Sequence, residues 1–361
     1  MRTRRAIHLA PVSMLAVVLG IVLASCGGSA PPSGAPSSSS TSAPHSSTST
    51  SAPHPTPSTT APTTAPPPAA ALSPPPVPSG SVYLGAWVNP NHVTGRSAQV
   101  GEAGSQEVAQ LPSFTSSVGG YRPAILHVYA KFKAPVPMDT VNSITAAGAV
   151  PMIDWSCTNL QSIVSGELDS VIQQYALTLK SYAKPVFLRW YWEFNQNNPS
   201  SRICGGFGDP ASYVAAWQHI WNIFHNMGAS NVAFVWSPGL SGGDSTPYYP
   251  GDQYVDWIGI DAYDRSYKGV GAGDFSGIFG GFYSEWAGHG KPIMVAETGA
   301  TAPQQAQYIQ SIQNQAPSLP QIKAIVYFDS IGPRADWTLQ GPGTNAFQAL
   351  LTDPYFAFRA S

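Results

Sequence analysis

Eight short apolar runs alternate with helical patterns from Ser81 to the end of this 361-residue chain, and this alternation limits the folds open to it. The runs are Val82–Trp87, Ala124–Tyr129, Val150–Trp155, Val186–Tyr191, Asn231–Trp236, Val255–Asp261, Pro292–Glu297 and Ile322–Phe328. Several intervening segments carry helix start signals and a 3.6-residue apolar period. Eight such units predict an α/β fold, a closed (β/α)8 TIM barrel. The alternative is an open doubly wound sheet, which is disfavoured because no glycine-rich phosphate motif follows the first run.

Two helices have clear start signals. Asp209-Pro210 supplies an N-cap followed by proline at the first helical position, and this helix is expected to end near Gly228. The segment Thr301-Ala-Pro-Gln304 has the pattern of a capping box and predicts a second helix start.

The first 25 residues are predicted to be a secretory signal peptide. Arg2, Arg4 and Arg5 precede an apolar stretch, which is the order of a leader sequence. The stretch ends in Leu-Ala-Ser-Cys26-Gly, which resembles the lipobox of bacterial lipoproteins and predicts lipidation of Cys26. The alternative is an ordinary signal peptide with an incidental cysteine.

Residues 26–80 are predicted to be a disordered linker. Between Gly27 and Gly80 the chain is almost entirely Ser, Thr, Pro, Ala and Gly, and it contains no Asp, Glu, Lys or Arg. Such a segment lacks the apolar side chains that would offset the entropy cost of folding. The third predicted domain is the barrel, residues 81–361. We expect a monomer, exported and held at the outer face of the membrane by the lipid on Cys26.

Charge and cysteine spacing disfavour two classes of ligand. The formal net charge is −2 and no basic stripe is present, so nucleic acid is not an expected partner. Of the three cysteines, Cys157 and Cys204 have no second cysteine or histidine at metal-ligand spacing. No metal or organic cofactor is expected. In an exported protein these two cysteines predict a disulfide, and the alternative is two buried thiols.

Two glutamates stand at the ends of apolar runs that lie far apart in the chain. Glu193 ends the run that begins at Pro185, and Glu297 ends the run that begins at Lys291. A carboxylate that closes a buried strand is costly unless it has a partner or a use. In a barrel these are the fourth and seventh strands, and function in this fold lies at the C-terminal ends of the strands.

Paired carboxyl groups at one rim are what a retaining glycoside hydrolase requires. Glu193 lies among aromatic residues that would keep it protonated as an acid, and Glu297 would stay ionised as a nucleophile if it faces Arg189. The structural alternatives are an ion pair between Glu193 and Arg189, and a solvated Glu297 just beyond its strand.

Side-chain alternation predicts which residues of these two strands face the barrel axis. On the fourth strand they are Arg189, Tyr191, Glu193 and Asn195, and on the seventh they are Ile293, Val295 and Glu297.

Aromatic side chains near strand ends are candidates for stacking on the apolar face of a sugar. They are Trp87, Trp155, Trp236 and Tyr263, and for each the alternative is packing at the top of the core. Trp236 is favoured as a contact because it precedes Ser237-Pro238, where strand becomes loop. Other strand-end residues are less specific: Asp154, Asp261, His127, Asp329 and Trp337.

The chain resembles glycoside hydrolase family 26, the β-mannanase family of retaining (β/α)8 hydrolases, over most of residues 81–358. Four stretches carry the resemblance: Arg189 with Glu193 and Asn195, Asn231–Pro238, Tyr248–Tyr263, and Lys291–Gly299. The resemblance implies that Glu193 is the proton donor, that Glu297 is the nucleophile, and that Tyr263 bonds near the nucleophile.

The chain departs from the family pattern at Trp192, where the family usually has histidine, and at Gln196-Asn-Asn-Pro199 after the asparagine. The resemblance implies that these positions, Trp192 among them, touch the sugar beside the cleaved bond. The sequence therefore predicts a retaining endo-β-glycosidase acting on a polysaccharide, with β-mannan first. The alternatives are a β-glucan or an envelope polymer, an inverting hydrolase, and a non-catalytic carbohydrate-binding lipoprotein.

Overall fold

The structure, a computed structural model, describes residues 71–89, 104–198, 202, 204–269, 273–332 and 335–360. The predicted signal peptide, Cys26 and the predicted linker up to residue 70 lie outside the described residues. Within them, every helix is too short or too polar to span a bilayer.

Eight parallel strands close into a barrel in the order of the chain, as the alternating runs predict. They are β1 Tyr83–Asn89, β2 Ile125–Ala130, β3 Val150–Trp155, β4 Val186–Trp190, β5 Val232–Trp236, β6 Trp257–Asp261, β7 Ile293–Thr298 and β8 Ile322–Ser330. Because β1 pairs with β8 as well as with β2, the sheet has no free edge and the doubly wound alternative is wrong.

Helices connect the strands and cover the outside of the barrel. Those described are α1 Gly104–Ser117, α2 Met138–Ala146, α3 Leu160–Val164, α4 Asp169–Tyr182, α5 Pro210–Met227, α6 Phe275–Trp286, α7 Ala302–Gln315 and α8 Gly341–Thr352. The predicted cap of α5 is confirmed, since the Asp209 side chain accepts a bond from the Ser212 amide and Gly228 ends the helix at φ 71°. The predicted capping box at α7 is wrong: Thr301 caps that helix without a side-chain bond to the backbone.

The strands bury their two faces in two separate apolar clusters. One cluster fills the lower barrel interior, with Tyr83, Phe187 and Trp257 among its largest members. The other lies between the sheet and the helices, and it includes Trp155 and Trp236. Alternation along each strand thus decides whether a side chain meets the barrel axis or the helices.

On β7 the predicted alternation is wrong by one residue. Met294 and Ala296 belong to the interior cluster, whereas Ile293 and Val295 pack toward the helices. The pairing of β7 shifts register against both neighbours near its end, and between β6 and β7 the shift falls at Ile260/Asp261. In a regular strand, Ala296 and Glu297 would face opposite sides of the sheet. The irregularity changes the direction of the Glu297 side chain, so both residues face the interior.

Residues 71–80, which the sequence assigns to the linker, contact the bottom of the barrel. The Tyr83 hydroxyl donates to the Pro76 carbonyl at 2.9 Å, and the Ser230 hydroxyl donates to the Leu72 carbonyl at 3.3 Å. Pro75 and Pro78 are buried. The segment therefore lies at the end of the barrel opposite the C-terminal ends of the strands.

Cys157, after β3, and Cys204, after β4, form a disulfide with their Cα atoms 5.8 Å apart. The bond links two loops at the C-terminal end of the barrel and closes a loop across 47 residues of separation.

Removing this disulfide is expected to cost about 4 kcal/mol of unfolding free energy, because the open chain gains loop entropy when it unfolds. The measurement is chemical denaturation of a Cys157→Ser, Cys204→Ser variant beside the parent protein. Equal midpoints and slopes for the two proteins would show that the bond contributes nothing to stability.

Candidate active site

A single guanidinium holds three carboxylates at the top of the barrel. Arg189 of β4 is fully buried, and it bonds both oxygens of Asp154 on β3 at 2.6 and 2.7 Å. It bonds both oxygens of Asp261 on β6 at 2.7 and 2.8 Å, and it also donates to Glu297 Oε1 on β7. Bidentate pairs of this kind fix position as well as charge. Arg189 therefore orients side chains and does not contact a ligand, which corrects its prediction as a sugar-binding residue.

His127 of β2 adjoins this network. Its Nε2 lies 3.1 Å from the Ala296 carbonyl oxygen, and its Nδ1 lies 2.9 Å from Asp154 Oδ2. A carbonyl oxygen only accepts, so Nε2 carries a proton. His127 thus joins β2 to β3 and β7 beneath the site.

The pKa values of the two aspartates move in opposite directions. Burial by itself would raise the pKa of Asp154, but the charges of Arg189 and His127 hold it below the usual value. Burial raises the pKa of Asp261 well above the usual value; Arg189 opposes this rise, and the charges of Glu297 and Glu193 add to it. Both glutamates therefore lie close enough to Asp261 to act on it.

Two tyrosine hydroxyls and the guanidinium hold the Glu297 carboxylate. The Tyr129 hydroxyl of β2 donates to Oε1 at 2.8 Å, and the Tyr263 hydroxyl donates to Oε2 at 2.6 Å. Burial, together with the Glu297 charge, raises the pKa of both tyrosines well above the usual value, so both remain donors. Three donors therefore fix the position of the buried Glu297 carboxyl group.

Glu193 lies on a turn just after β4. Tyr191 and Glu193 have positive φ values of 47° and 53°, a conformation that costs energy for residues other than glycine. The Glu193 amide donates to the Ser237 carbonyl at 2.8 Å, and the Gln196 side-chain amide donates to Glu193 Oε1 at 2.5 Å. The strained turn is thus tied to the end of β5.

This turn ends the alternation that the sequence predicts on β4. Tyr191 faces outward and packs against Trp190 and Tyr213. Trp192 takes the inward place: its ring lies 5.5 Å from the Arg189 guanidinium carbon and 5.1 Å from the Tyr129 ring. The change follows from the positive φ values, which rotate successive side chains away from the strand pattern.

Six aromatic residues form a cluster that includes Tyr129 and Tyr263, the two tyrosines bonded to Glu297. Trp87, Tyr129, Phe328 and Trp337 make one buried cluster, and the half-buried Trp192 and Tyr263 pack against it. Tyr263 and Trp337 lie 4.5 Å apart between ring centroids. Three predicted contacts, Trp87, Trp192 and Tyr263, therefore meet at one place, joined by Trp337.

Trp155 and Trp236 are wrong as predicted sugar contacts. Both are 0% exposed and face the helices. Trp155 stacks between Phe132 and Tyr175 with centroid distances of 4.3 Å each, and Trp236 packs 4.7 Å from Trp286. Trp236 precedes a strand-to-loop junction, but alternation places it on the outer face of β5.

Asn195 is buried and links two loops. Its amide nitrogen donates to the carbonyls of Gly239 and Gly243 at 3.0 and 2.8 Å, and its oxygen accepts from the Gly239 amide at 2.9 Å. These bonds use both ends of the side-chain amide. Asn195 therefore holds the β4 and β5 loops together, which corrects its prediction as a sugar contact.

Sequence reasoning missed two direct partners of the glutamates, Tyr129 and Gln196. Tyr129 shares the inward parity of His127 on β2, so parity was the signal that would have found it. Gln196 gave no such signal, because its contact depends on the irregular turn at Glu193.

Three side chains of the described part of the chain present oxygen or nitrogen atoms within 4.8 Å of one another, namely His127, Asp154 and Glu297. Arg189 donates to both carboxylates of this group, so a fixed organic cation already balances their charge. The group does not fit a metal site while that guanidinium stands there.

Asp329 is a further buried carboxyl group near the rim, at the end of β8. Burial raises its pKa to about 7; the Leu339 amide, which donates to it at 2.7 Å, opposes the rise, and the nearby charge of Asp336 adds to it.

The Asp329 carboxyl group binds its proton more tightly in the folded state than in the unfolded chain. The unfolding free energy is therefore expected to fall as pH rises from about 4 to about 7. Over this pH range the Asp329 carboxyl group changes the unfolding free energy by at most about 4 kcal/mol. Asp329→Asn keeps an oxygen acceptor for Leu339 and should gain stability relative to the parent as pH rises. The measurement is denaturant unfolding of both proteins at pH 4.5 and 7.5, and an equal difference at the two pH values would contradict this role.

A closed parallel barrel with two glutamates near its C-terminal rim is the architecture of the barrel glycoside hydrolases with paired carboxyl groups. The family model of glycosyl hydrolase family 26 matches residues 120–323, more than half of the chain. The chain belongs to glycosyl hydrolase family 26. The predicted family and fold class are thereby confirmed.

Two characterised relatives match parts of the chain. Endoglucanase H of Acetivibrio thermocellus is 33% identical over 168 residues, which cover 42% of this chain and 18% of the relative. Beta-1,3-xylanase TXYA of a Vibrio species is 24% identical over 156 residues, which cover 38% of this chain and 28% of the relative. The chain thus matches less than a third of the length of either relative.

Solved structures of mannanases have a similar fold. The modular endo-β-1,4-mannanase of Cellulomonas fimi has 16% sequence identity and a TM-score of 0.54, over 76% of this chain and 71% of that chain. The β-mannanase from a protist symbiont of the termite Reticulitermes speratus has 15% identity and a TM-score of 0.54, over 76% and 88% of the two chains. At this identity the likeness concerns the fold.

Proposed function

We propose that the protein is a retaining endo-β-glycosidase that hydrolyses a polysaccharide by double displacement. Glu193 is the acid and base, and Glu297 is the nucleophile. The observation that carries this proposal is the setting of Glu297, whose carboxyl group accepts bonds from Arg189, Tyr129 and Tyr263 at the mouth of the barrel. Such a group is ready to attack an electrophilic carbon.

In the first step Glu297 attacks the anomeric carbon while the bond from that carbon to the leaving oxygen breaks. Glu193 transfers its proton to the leaving oxygen, and a covalent sugar ester forms on Glu297. Glu297 Oε1 accepts two bonds, from Arg189 and Tyr129, while Oε2 accepts one from Tyr263. Oε2 therefore keeps electron density for the new bond.

In the second step a water molecule attacks the same carbon and gives its proton to Glu193. The ester bond breaks, and Glu297 returns to the anion that Arg189 and the tyrosines stabilise. The cluster of six aromatic residues beside Glu297 supplies apolar faces for the sugar and keeps bulk water from the ester.

The substrate is proposed to be a β-mannan-type polysaccharide first, with support from family membership. A β-glucan is the second candidate, and the identity to an enzyme named Endoglucanase H supports it. Trp192 also bears on this choice, because its indole lies 5.5 Å from the Arg189 guanidinium carbon at a position where the family usually has histidine.

The test is hydrolysis of a panel of mannans, glucans, xylans and cell-wall polymers by the purified protein, with the products followed by size and by anomeric proton signals. We expect shorter oligosaccharides whose new ends first appear as the β-anomer. An initial α-anomer would identify an inverting enzyme. No hydrolysis of any polymer, with binding retained, would identify a carbohydrate-binding protein.

For the part of the chain outside the described residues we propose export and lipid anchoring through Cys26. The basic leader, its apolar stretch and the lipobox-like ending support this, as does the uncharged spacer that follows. Cys26→Ser should release the protein from the membrane fraction of an expressing bacterium and abolish incorporation of labelled fatty acid. A parent protein that takes up no fatty acid would overturn the proposal.

A further inference from the structure

Gln196 closes the turn that carries Glu193. Its backbone amide donates to the Glu193 carbonyl at 3.0 Å, and its side-chain amide donates to Glu193 Oε1 at 2.5 Å. Its own carbonyl accepts a bond from Asn198 at 3.0 Å. Backbone and side chain of one residue thus hold both the turn and the carboxyl group.

The loop after β5 fixes the position of this amide. A Cβ at Gly239 would lie 2.1 Å from Gln196 Nε2, so residue 239 must be glycine for Gln196 to lie where it does. Gly239 itself is held by two hydrogen bonds to Asn195. The Gln196 amide therefore has little freedom to leave Glu193.

We propose that Gln196 is a positioning residue that selects the oxygen through which Glu193 moves its proton. It occupies Oε1, so Oε2 gives the proton to the leaving group and takes it back from water. This inference rests on the proposed role of Glu193 and adds a residue to that site.

The bond from the Gln196 side-chain amide to Glu193 Oε1 also affects whether Glu193 is protonated or ionised. An amide N–H can only donate, so this bond stabilises the carboxylate that the second step needs. The carboxylate of Asp261 on β6 lies close enough to Glu193 to disfavour its ionised form. Asp261 is itself bonded to Arg189 on β4, which also donates to Glu297 on β7. The Gln196 donor offsets the effect of Asp261 and keeps Glu193 able to act as a base.

The test is Gln196→Met, which keeps the length of the side chain and removes the donor. We expect the alkaline limb of the pH profile of kcat/KM to move up by about one pH unit, because Glu193 holds its proton more tightly. With an aryl glycoside whose leaving group needs no acid, kcat at neutral pH should fall, because the base step becomes limiting. The matched control is Gln161→Met, which removes a surface glutamine bonded to Ser212 on the outside of the barrel and should leave the profile unchanged.

A Gln196→Met protein with lower kcat at every pH and an unmoved alkaline limb would overturn the inference, since that is the result of a purely structural turn residue. If this variant does not fold, Gln196→Glu serves instead, and two adjacent carboxyl groups should move the limb further upward. Carbon-13 titration of the labelled Glu193 carboxyl, in parent and variant, makes the same comparison without a substrate. Failure of the proposed function is recognised separately, by an inactive parent protein in which the titration still shifts.

Discussion

Glu297→Ala is expected to lower kcat/KM on the best polysaccharide by a factor on the order of 10⁴ or more, as loss of a covalent nucleophile does. Asp154 and Asp261 cannot take its place, because both are buried and bonded to Arg189. The measurement is the initial rate of reducing-end release at equal protein concentration.

Glu285→Ala is the matched control, because Glu285 is a surface glutamate on α6 that bonds the Thr246 hydroxyl. It should hydrolyse as the parent does, whereas small nucleophiles such as formate should restore part of the activity of Glu297→Ala. A Glu297→Ala protein as fast as the parent would show that the chemistry lies elsewhere.

Arg189→Met is expected to lower the unfolding free energy by about 3–5 kcal/mol, the usual cost of removing one partner from a buried charge network. The charges of Asp154, Asp261 and Glu297 would then face one another in the barrel without the guanidinium, and burial would favour their protonated forms. Denaturant unfolding at neutral pH measures the loss, and it should shrink as pH is lowered and the carboxyl groups take up protons.

Arg122→Met is the control, because that exposed guanidinium bonds a single backbone carbonyl, of Ala147. It should change stability by no more than about 0.5 kcal/mol. A similar loss of unfolding free energy in Arg189→Met and Arg122→Met would show that the buried network stabilises the fold no more than the exposed Arg122 contact does. Arg189→Lys should resemble the methionine variant, because an ammonium cannot make two bidentate pairs.

The site combines rigidity with two different electrostatic surroundings. Glu297 is held by Arg189 of β4, Tyr129 of β2 and Tyr263 just after β6, so the direction of its carboxyl group is fixed before a substrate arrives. Glu193 lies on a strained turn after β4 and is half-buried. A double displacement needs this difference between its two carboxyl groups.

Strand positions and the two glutamates followed from the sequence because both are local signals. Each predicted apolar run contains or overlaps an observed strand, from β1 to β8, and the glutamates lie near the ends of β4 and β7. Side-chain direction was predicted well only where the strand is regular. It was wrong at Tyr191, where positive φ interrupts β4, and at Ile293 and Val295, where the register of β7 shifts.

The amino-acid sequence by itself determined the number of strands, their order and the presence of a carboxyl group at two of their ends, because apolar periodicity and run length are written in consecutive residues. Only the tertiary structure decided which side chains meet. Arg189 reaches Asp154, Asp261 and Glu297 through contacts that span 35 to 108 residues of chain. Such contacts depend on barrel closure, strand stagger and local irregularities, which no short stretch of sequence specifies.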